Sequence, residues 1–105
     1  MKRVTFLGDS LGRVRDFPPE ARSEVGFQIR ELQQGRDPSD WKPLKTVGQG
    51  VREIRVHEAT GTFRVIYLAT LPDRVLVLHA FQKKTTRTTS RDLELATNRL
   101  RTWME

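Results

Sequence analysis

Residues 50–84 constrain the fold of this chain more than any other stretch, because they contain three consecutive segments of strand character. In residues 51–56 the side chains alternate between two faces, so that Arg52, Ile54 and Val56 share one face while Glu53 and Arg55 share the other. Residues 62–69 and 74–81 are almost continuously apolar, as expected for central strands that are covered on both faces. Short turns separate the three segments, so we predict that they form an antiparallel meander.

Helical patterns precede these strands. After a first strand predicted at residues 3–7, a brief helix is expected up to Pro18. A longer helix should open at Pro19 or Glu20 and end at Gly35, since proline is tolerated in a first turn and glycine favours the position after a last turn. Its apolar stripe recurs at i, i+4, i+8 and i+11 and consists of Ala21, Val25, Ile29 and Leu32.

Two residues of the longer helix depart from this pattern. Gly26 costs about 1 kcal/mol of helix propensity relative to alanine. Phe27 points away from the apolar stripe. We expect Phe27 to pack beneath a neighbouring loop, and the alternative is an exposed aromatic side chain that docks a partner.

The remaining segments complete the predicted order of elements. Residues 36–50 are rich in Pro, Gly, Asp and Ser and predict a connector, with Trp41 and Leu44 as its anchors on the core. Thr89 and Asp92 resemble a capping box at the start of a last helix. The inner stripe of that helix is predicted to be Leu93, Ala96, Leu100 and Trp103. We therefore predict an α+β fold with a small antiparallel sheet in the order β-α-α-β-β-β-α, with residues 1–105 as a single domain.

The charge of the chain favours an anionic partner. Its net charge is +6, and such an excess suits nucleic acid, a ribosome or an acidic protein, although a solvated basic surface would also account for it. No apolar run approaches the roughly 20 residues that span a bilayer, and the N-terminus lacks the apolar region of a secretory signal, so we expect a cytoplasmic protein without membrane contact. The chain has no cysteine and two histidines, and we predict neither a metal nor a cofactor.

Familiar catalytic motifs are absent from the sequence, which contains no GxSxG, HExxH, P-loop or glycine-rich dinucleotide turn. The serines lie where helix capping and solubility explain them. We interpret His57, beside a turn, as exposed and passive. His79 lies in a buried strand and is interpreted as a satisfied core histidine rather than a base.

The cations of the predicted meander are the candidate functional residues. Arg55 and Arg64 lie on neighbouring strands and are expected to converge with Lys83 and Lys84 at the end of the third strand. An arginine within an apolar strand is unfavourable unless an anion lies nearby. For Arg64, a salt bridge to Glu53 is one explanation. The other is phosphate binding, which suits the planar guanidinium group.

Several segments together resemble the RelE/ParE toxin superfamily, and most closely its HigB-like, phage-derived branch. These segments are GVREIRV, FRVIYLA, LHAFQKKT and the helix SRDLELATNRL, joined upstream by DSLGRVRDFP, ELQQG and DWKPLK. The resemblance implies a RelE-like fold and the toxin of a type II toxin–antitoxin pair. RelE-like members cleave mRNA, commonly in the A site of the small ribosomal subunit. A HigB-like toxin is typically neutralised by a small helix-turn-helix antitoxin, so the implied partners are mRNA on the ribosome and such an antitoxin in a hetero-oligomer.

The resemblance also implies which residues act. Arg55 matches a basic residue of the second strand in RelE-type nucleases, Arg64 matches their third-strand arginine, and Lys84 matches a basic residue after the last strand. Glu53 stands where a lysine is often found. It could take the 2′-hydroxyl proton if it escapes pairing, and Lys83 or Lys84 could donate a proton if neighbouring cations lower its pKa. Arg52, Lys83 and Arg87 are the further candidates for RNA binding.

Two departures leave the general acid and base open. The aromatic residue that RelE-type enzymes place near the start of the last helix is missing, and so is the His-Asp-Tyr grouping of some HigB relatives. A ParE-like inhibitor of DNA gyrase and a non-catalytic RNA-binding module are the alternatives to a nuclease. We expect weak or absent cleavage of naked RNA, because the ribosome would supply the positioning. We also expect an Arg64→Ala variant to lose cleavage and to keep its fold.

Overall fold

A computed structural model describes residues 1–83 and 88–105. Its elements are β1 (Arg3–Phe6), α1 (Ser10–Arg15), α2 (Pro19–Gln33), β2 (Trp41–Pro43), β3 (Val51–Glu58), β4 (Gly61–Leu68), β5 (Arg74–Lys83) and α3 (Ser90–Met104). The predicted elements are all present, and the α+β class is confirmed. One strand was missed, since β2 lies within the segment predicted as a connector. It is short and ends in a proline at the sheet edge, so it carries no readable alternation.

The five strands form one mixed sheet in the order β1-β5-β4-β3-β2. Strands β3, β4 and β5 form the predicted antiparallel meander. The prediction of a small antiparallel sheet holds for the meander but is wrong for β1, which pairs with β5 in parallel, with Arg3 opposite Arg74. No tight turn joins β1 to β5, so the turn rule that fixes the meander does not apply to this pair.

Helices cover both faces of the sheet. On the face that we call the helix-pair face, α1 and α2 pack against side chains such as Ile54 and Val65. On the opposite face, which we call the α3 face, Ala96 of α3 lies in a second cluster with Ile66 and Leu78. Because side chains alternate along a strand, each strand of the meander contributes to both clusters.

A β-bulge modifies this alternation on β5. The register shifts between Ile66 and Tyr67 of β4, so that Ile66 pairs with His79 and Tyr67 pairs with Val77. Leu78 is the extra residue, and it lies in the cluster of the α3 face. His79, the next residue, also contacts α3 through Asp92. The bulge thus turns two consecutive side chains toward the same helix.

The ends of the helices follow the sequence signals. Helix α2 has proline at its start and is followed by Gly35, whose φ of 82° requires the left-handed region that glycine adopts readily. At α3, the Thr89 hydroxyl oxygen accepts a hydrogen bond from the Asp92 backbone N–H at 3.3 Å and donates one to its carboxylate at 2.7 Å. The predicted N-cap is therefore confirmed.

Two aromatic predictions are wrong and one anchor is confirmed. Phe27 is 47% exposed, since it lies on the side of α2 away from the buried Val25 and Ile29, so it does not pack beneath a loop. Trp103 is 36% exposed because it lies in the last turn of α3. Its ring has the Arg74 guanidinium 5.8 Å from its centroid. Leu44 is buried, as predicted for an anchor of residues 36–50.

Candidate anion-binding site

The strand register brings the predicted cations together on the α3 face. Arg55 of β3 lies directly opposite Arg64 of β4. Lys42 of β2 lies opposite Glu53, and Lys83 of β5 lies opposite Thr62. Since residues i and i+2 of a strand share a face, the register places four cations on one side of the sheet. We call this set the cationic face, and it consists of Lys42, Arg55, Arg64 and Lys83.

The pKa of Lys83 reflects this crowding. Burial lowers it, and the positive charges of Arg64 and Lys42 lower it further. The lowered pKa is the condition under which Lys83 was expected to donate a proton. Two other predicted residues, Lys84 and Arg87, lie outside the described residues.

Arg64 and Glu53 form a buried ion pair. Arg64 Nη1 donates to Glu53 Oε1, and the two side chains are 7% and 0% exposed. The Thr88 hydroxyl donates to Glu53 Oε2 at 2.7 Å, and Lys42 Nζ lies 3.8 Å from Oε1. Of the two explanations for an arginine in this apolar strand, the structure therefore shows the salt bridge. The condition for Glu53 to act as a base, that it escapes pairing, is not met.

The same ion pair corrects the expectation for Arg64→Ala. Removal of one partner of a buried pair leaves the other charge uncompensated, which is strongly destabilising. That variant is therefore expected to lose stability as well as activity. Arg64 also has a buried Nε that lacks a hydrogen-bond partner among the described residues, so part of its donor capacity remains unused.

Arg55 belongs to a chain of polar contacts at the edge of the cationic face. Its Nη2 and Nε donate to Asp40 Oδ1 at 2.7 and 3.1 Å. The other carboxylate oxygen of Asp40 lies 3.1 Å from His57 Nε2, and His57 Nδ1 lies 3.2 Å from the Thr62 hydroxyl. Burial raises the pKa of Asp40, but hydrogen bonds from Arg55 and His57 outweigh burial and bring it below its usual value. Asp40 is thus a stable anion between two cationic or protonatable groups.

The contacts of His57 with Asp40 and Thr62 were not predicted from the sequence. The prediction that His57 is exposed is confirmed, since 63% of its side chain is accessible, and its ring contacts both Asp40 and Thr62. The available signal was its position two residues after Arg55 on the same strand, which places both on one face. Asp40 could not be found in this way, because it lies in another segment and reaches His57 only in the folded chain.

Arg52 lies away from the cationic face. Its guanidinium carbon is 3.8 Å from the centroid of the Trp41 ring, and its Nη1 donates to Asp37 at 3.0 Å. It shares the helix-pair face with Ile54, as the alternation of residues 51–56 predicted. The sheet therefore separates Arg52 from Arg55 and Arg64, with which it was grouped as a candidate for RNA binding.

His79 is a satisfied core histidine, as predicted. It is 1% exposed, and its Nε2 lies 2.7 Å from Asp92 Oδ1. Burial lowers the pKa of His79, although the hydrogen bond to Asp92 acts in the opposite direction. Arg99 lies on its other side and donates to the Leu78 carbonyl at 2.9 Å. Substrate cannot reach the His79 ring, so it is not a candidate for proton transfer.

Across residues 1–83 and 88–105, no group of three or more His, Asp or Glu side chains is placed to hold a metal ion. In the same described part of the chain, no helix is both long and apolar enough to cross a membrane.

The fold and the site define a small α+β protein that presents cations on one face of a mixed sheet. The chain belongs to the family described as phage derived protein Gp49-like (DUF891), whose family model matches residues 13–101. No curated protein shows significant similarity to the chain. The family match agrees with the phage-derived part of the resemblance, and membership of the wider RelE/ParE superfamily stays a prediction.

Proposed function

We propose that this protein has a RelE-like fold and is the toxin of a type II toxin–antitoxin pair that cleaves mRNA on the ribosome. The observation that carries the proposal is the direct pairing of Arg55 with Arg64, with Lys42 and Lys83 on the same face. The cationic face carries four positive charges, and three of them have carboxylate partners: Glu53 contacts Lys42 and Arg64, and Asp40 contacts Arg55. Such a surface suits a phosphodiester backbone.

The reaction would be a transesterification within RNA. The 2′-oxygen attacks the adjacent phosphorus, and the bond from phosphorus to the 5′-oxygen breaks. Negative charge grows on the phosphoryl oxygens, and fixed guanidinium groups stabilise it without reorganisation. Arg55 is the accessible guanidinium, with 31% of its side chain exposed, whereas Arg64 is held in place by Glu53. Arg55 therefore contacts the phosphate, and Arg64 contributes a preoriented charge behind it.

The ribosome supplies the positioning that the protein lacks. The cationic face is a surface rather than a deep cleft, because Lys42 and Arg55 are each about one third exposed. Cleavage of naked RNA should be weak, and cleavage of mRNA in the A site of the small subunit should be rapid. The location is the cytoplasm, where translation takes place, and no cofactor is required.

The second proposed partner is a small helix-turn-helix antitoxin. It forms a hetero-oligomer with the toxin and either covers the cationic face or blocks entry to the ribosome. A net charge of +6 suits an acidic contact surface on this partner.

The test is to map transcript 5′ ends after brief induction, with and without ongoing translation. Wild-type protein should create new 5′ ends only in translated messages. Arg55→Ala should reduce cleavage about 10²–10³-fold, since it removes one stabilising donor. Arg74→Ala is the matched control, because Arg74 is equally exposed at 30% and pairs with Asp73 at 2.9 Å away from the cationic face.

The two alternatives predict different results in the same experiment. Growth arrest with DNA damage and intact transcripts would replace the nuclease with a gyrase inhibitor. Growth arrest with intact transcripts and intact DNA, together with RNA binding, would indicate a non-catalytic RNA-binding module.

A further inference from the structure

We propose that His57 is the general base of the cleavage reaction and that Asp40 is its positioning residue. This assignment rests on the proposed function. A general base other than Glu53 is needed, because Glu53 is buried and paired with Arg64. Of the two histidines of the chain, only His57 has an accessible ring, since His79 is enclosed between the sheet and α3.

The position of His57 fits the phosphate-binding residues. It lies two residues after Arg55 on β3, so both side chains project from the same face of the sheet. Its cross-strand partner is Thr62, which lies two residues before Arg64 and opposite Lys83. The imidazole is thus flanked along β3 and across β4 by the cations that would hold the phosphate.

The contacts of the ring define which nitrogen acts. The carboxylate of Asp40 can only accept a hydrogen bond, so His57 Nε2 carries the proton that it donates over 3.1 Å. In neutral imidazole the other nitrogen, Nδ1, then has a lone pair. It accepts from the Thr62 hydroxyl over 3.2 Å. A ribose 2′-hydroxyl that takes the place of this threonine hydroxyl would donate its proton to Nδ1.

Asp40 is held firmly enough to orient the ring. Its backbone carbonyl accepts from the Arg55 backbone N–H at 2.9 Å, and its Oδ1 accepts from the Arg55 side chain. The preceding Ser39 is fixed to α2, because its backbone N–H donates to the buried Gln28 at 3.0 Å. A carboxylate oriented in this way fixes the tautomer of the histidine and stabilises the imidazolium that forms.

The proton balance of the step is complete. His57 Nδ1 takes the 2′-hydroxyl proton as the bond from the 2′-oxygen to phosphorus forms. The bond from phosphorus to the 5′-oxygen breaks, and the 5′-oxygen takes a proton from Lys83, whose pKa is lowered by burial and by neighbouring cations. The products are a 2′,3′-cyclic phosphate and a 5′-hydroxyl. Solvent then restores both protonation states.

The first test is the single-turnover rate on ribosomes that hold a defined codon in the A site. His57→Gln keeps hydrogen-bonding groups but cannot take up the proton, so its rate should fall about 10²–10⁴-fold. The toxin concentration that gives half the maximal rate should stay unchanged. Free imidazole should restore part of the activity of His57→Ala, which would not occur if the ring were only structural.

The second test is the pH dependence of that rate. The charged and titratable groups around the ring are Asp40, Arg55 and Lys83, together with the Thr62 hydroxyl. The rate of the wild-type protein should rise with pH, because a general base acts only in its deprotonated form, and His57→Gln should lack this limb of the profile. Asp40→Asn should lower the rate but keep the limb, since the base remains and only its orienting carboxylate is lost. Asp37→Asn is the matched control, because Asp37 pairs with Arg52 at 3.0 Å on the helix-pair face.

The outcomes separate this assignment from the proposed function. If wild-type protein cleaves no A-site mRNA, the proposed function fails and the assignment fails with it. If wild-type protein cleaves and His57→Gln cleaves equally fast, the assignment alone is overturned. The assignment is also overturned if His57→Gln cleaves slowly but its rate still rises with pH as the wild-type rate does. Failure of imidazole to restore activity to His57→Ala would overturn it as well.

Discussion

Replacement of Arg64 by alanine should destabilise the protein more than any other single change on the cationic face. The Arg64 guanidinium and the Glu53 carboxylate are both buried, and they are bonded to each other. Without Arg64, the carboxylate keeps the Thr88 hydroxyl at 2.7 Å and the Lys42 ammonium at 3.8 Å. It therefore loses its main cationic partner and retains a weaker one.

The magnitude follows from this geometry. Removal of one partner of a buried ion pair costs about 3–5 kcal/mol. Because the Lys42 contact with Glu53 remains, we expect the loss in the free energy of unfolding to lie near the lower end of this range, at about 3 kcal/mol. For a domain of this size, that loss lowers the midpoint of thermal unfolding by about 12–24 °C. Arg55→Ala should cost only about 0–1 kcal/mol, because the Arg55–Asp40 pair is partly exposed to solvent.

Equilibrium unfolding in urea measures both variants directly. A double variant, Arg64→Met with Glu53→Leu, removes both buried charges and should recover most of the lost stability, since apolar replacement of a whole buried pair is often neutral or stabilising. The reasoning would be refuted if Arg64→Ala unfolded within about 1 kcal/mol of wild-type protein. It would also be refuted if the double variant were as unstable as the single one. Activity assays should use the double variant, in which loss of the Arg64 charge is separated from unfolding.

Two further predictions concern helix α2 and the buried histidine. Gly26→Ala should stabilise the protein by about 0.5–1 kcal/mol in urea unfolding, because among the described residues an added Cβ would meet only Arg30 Nη1, at 3.6 Å. A loss of stability would contradict this. The free energy of unfolding should decrease as pH falls below the ordinary His79 pKa of 6.5, because the folded-state pKa is lower and the unfolded chain binds the proton first. Asp92 and Arg99 of α3 and Arg13 of α1 are the charged groups that act on this ring. The decrease should be shallower in His79→Asn. If the free energy of unfolding fell equally steeply with pH in both proteins, His79 would not be the cause of the decrease.

Local patterns in the sequence were sufficient for most of the fold. The stripe of α2, the capping residues of α3 and the alternation in β3 depend on residues a few positions apart, and each was confirmed. The parallel pairing of β1 with β5 and the short strand β2 were not readable. Both depend on partners far along the chain, and such partners leave no local periodicity.

The candidate site divides in the same way. The two-residue alternation of side chains along a strand predicted that Glu53 and Arg55 share a face. The short turns predicted that Arg64 lies on the neighbouring strand. The choice between a salt bridge and a phosphate for Arg64 needed the register, which sets it diagonally across from Glu53. The contact of His57 with Asp40 also needed the fold, because these residues are 17 positions apart.

The sequence by itself determined that residues 50–84 form a meander with cations on adjacent strands. Only the tertiary structure decided which of these cations faces solvent and which is neutralised. Arg55 and Arg64 are cross-strand neighbours of the same residue type, yet Arg64 is buried and Arg55 is about one third exposed. Burial and pairing are properties of surrounding segments that pack from elsewhere in the chain. The sequence therefore determines the charge of a residue, but the fold determines whether a phosphate can reach it.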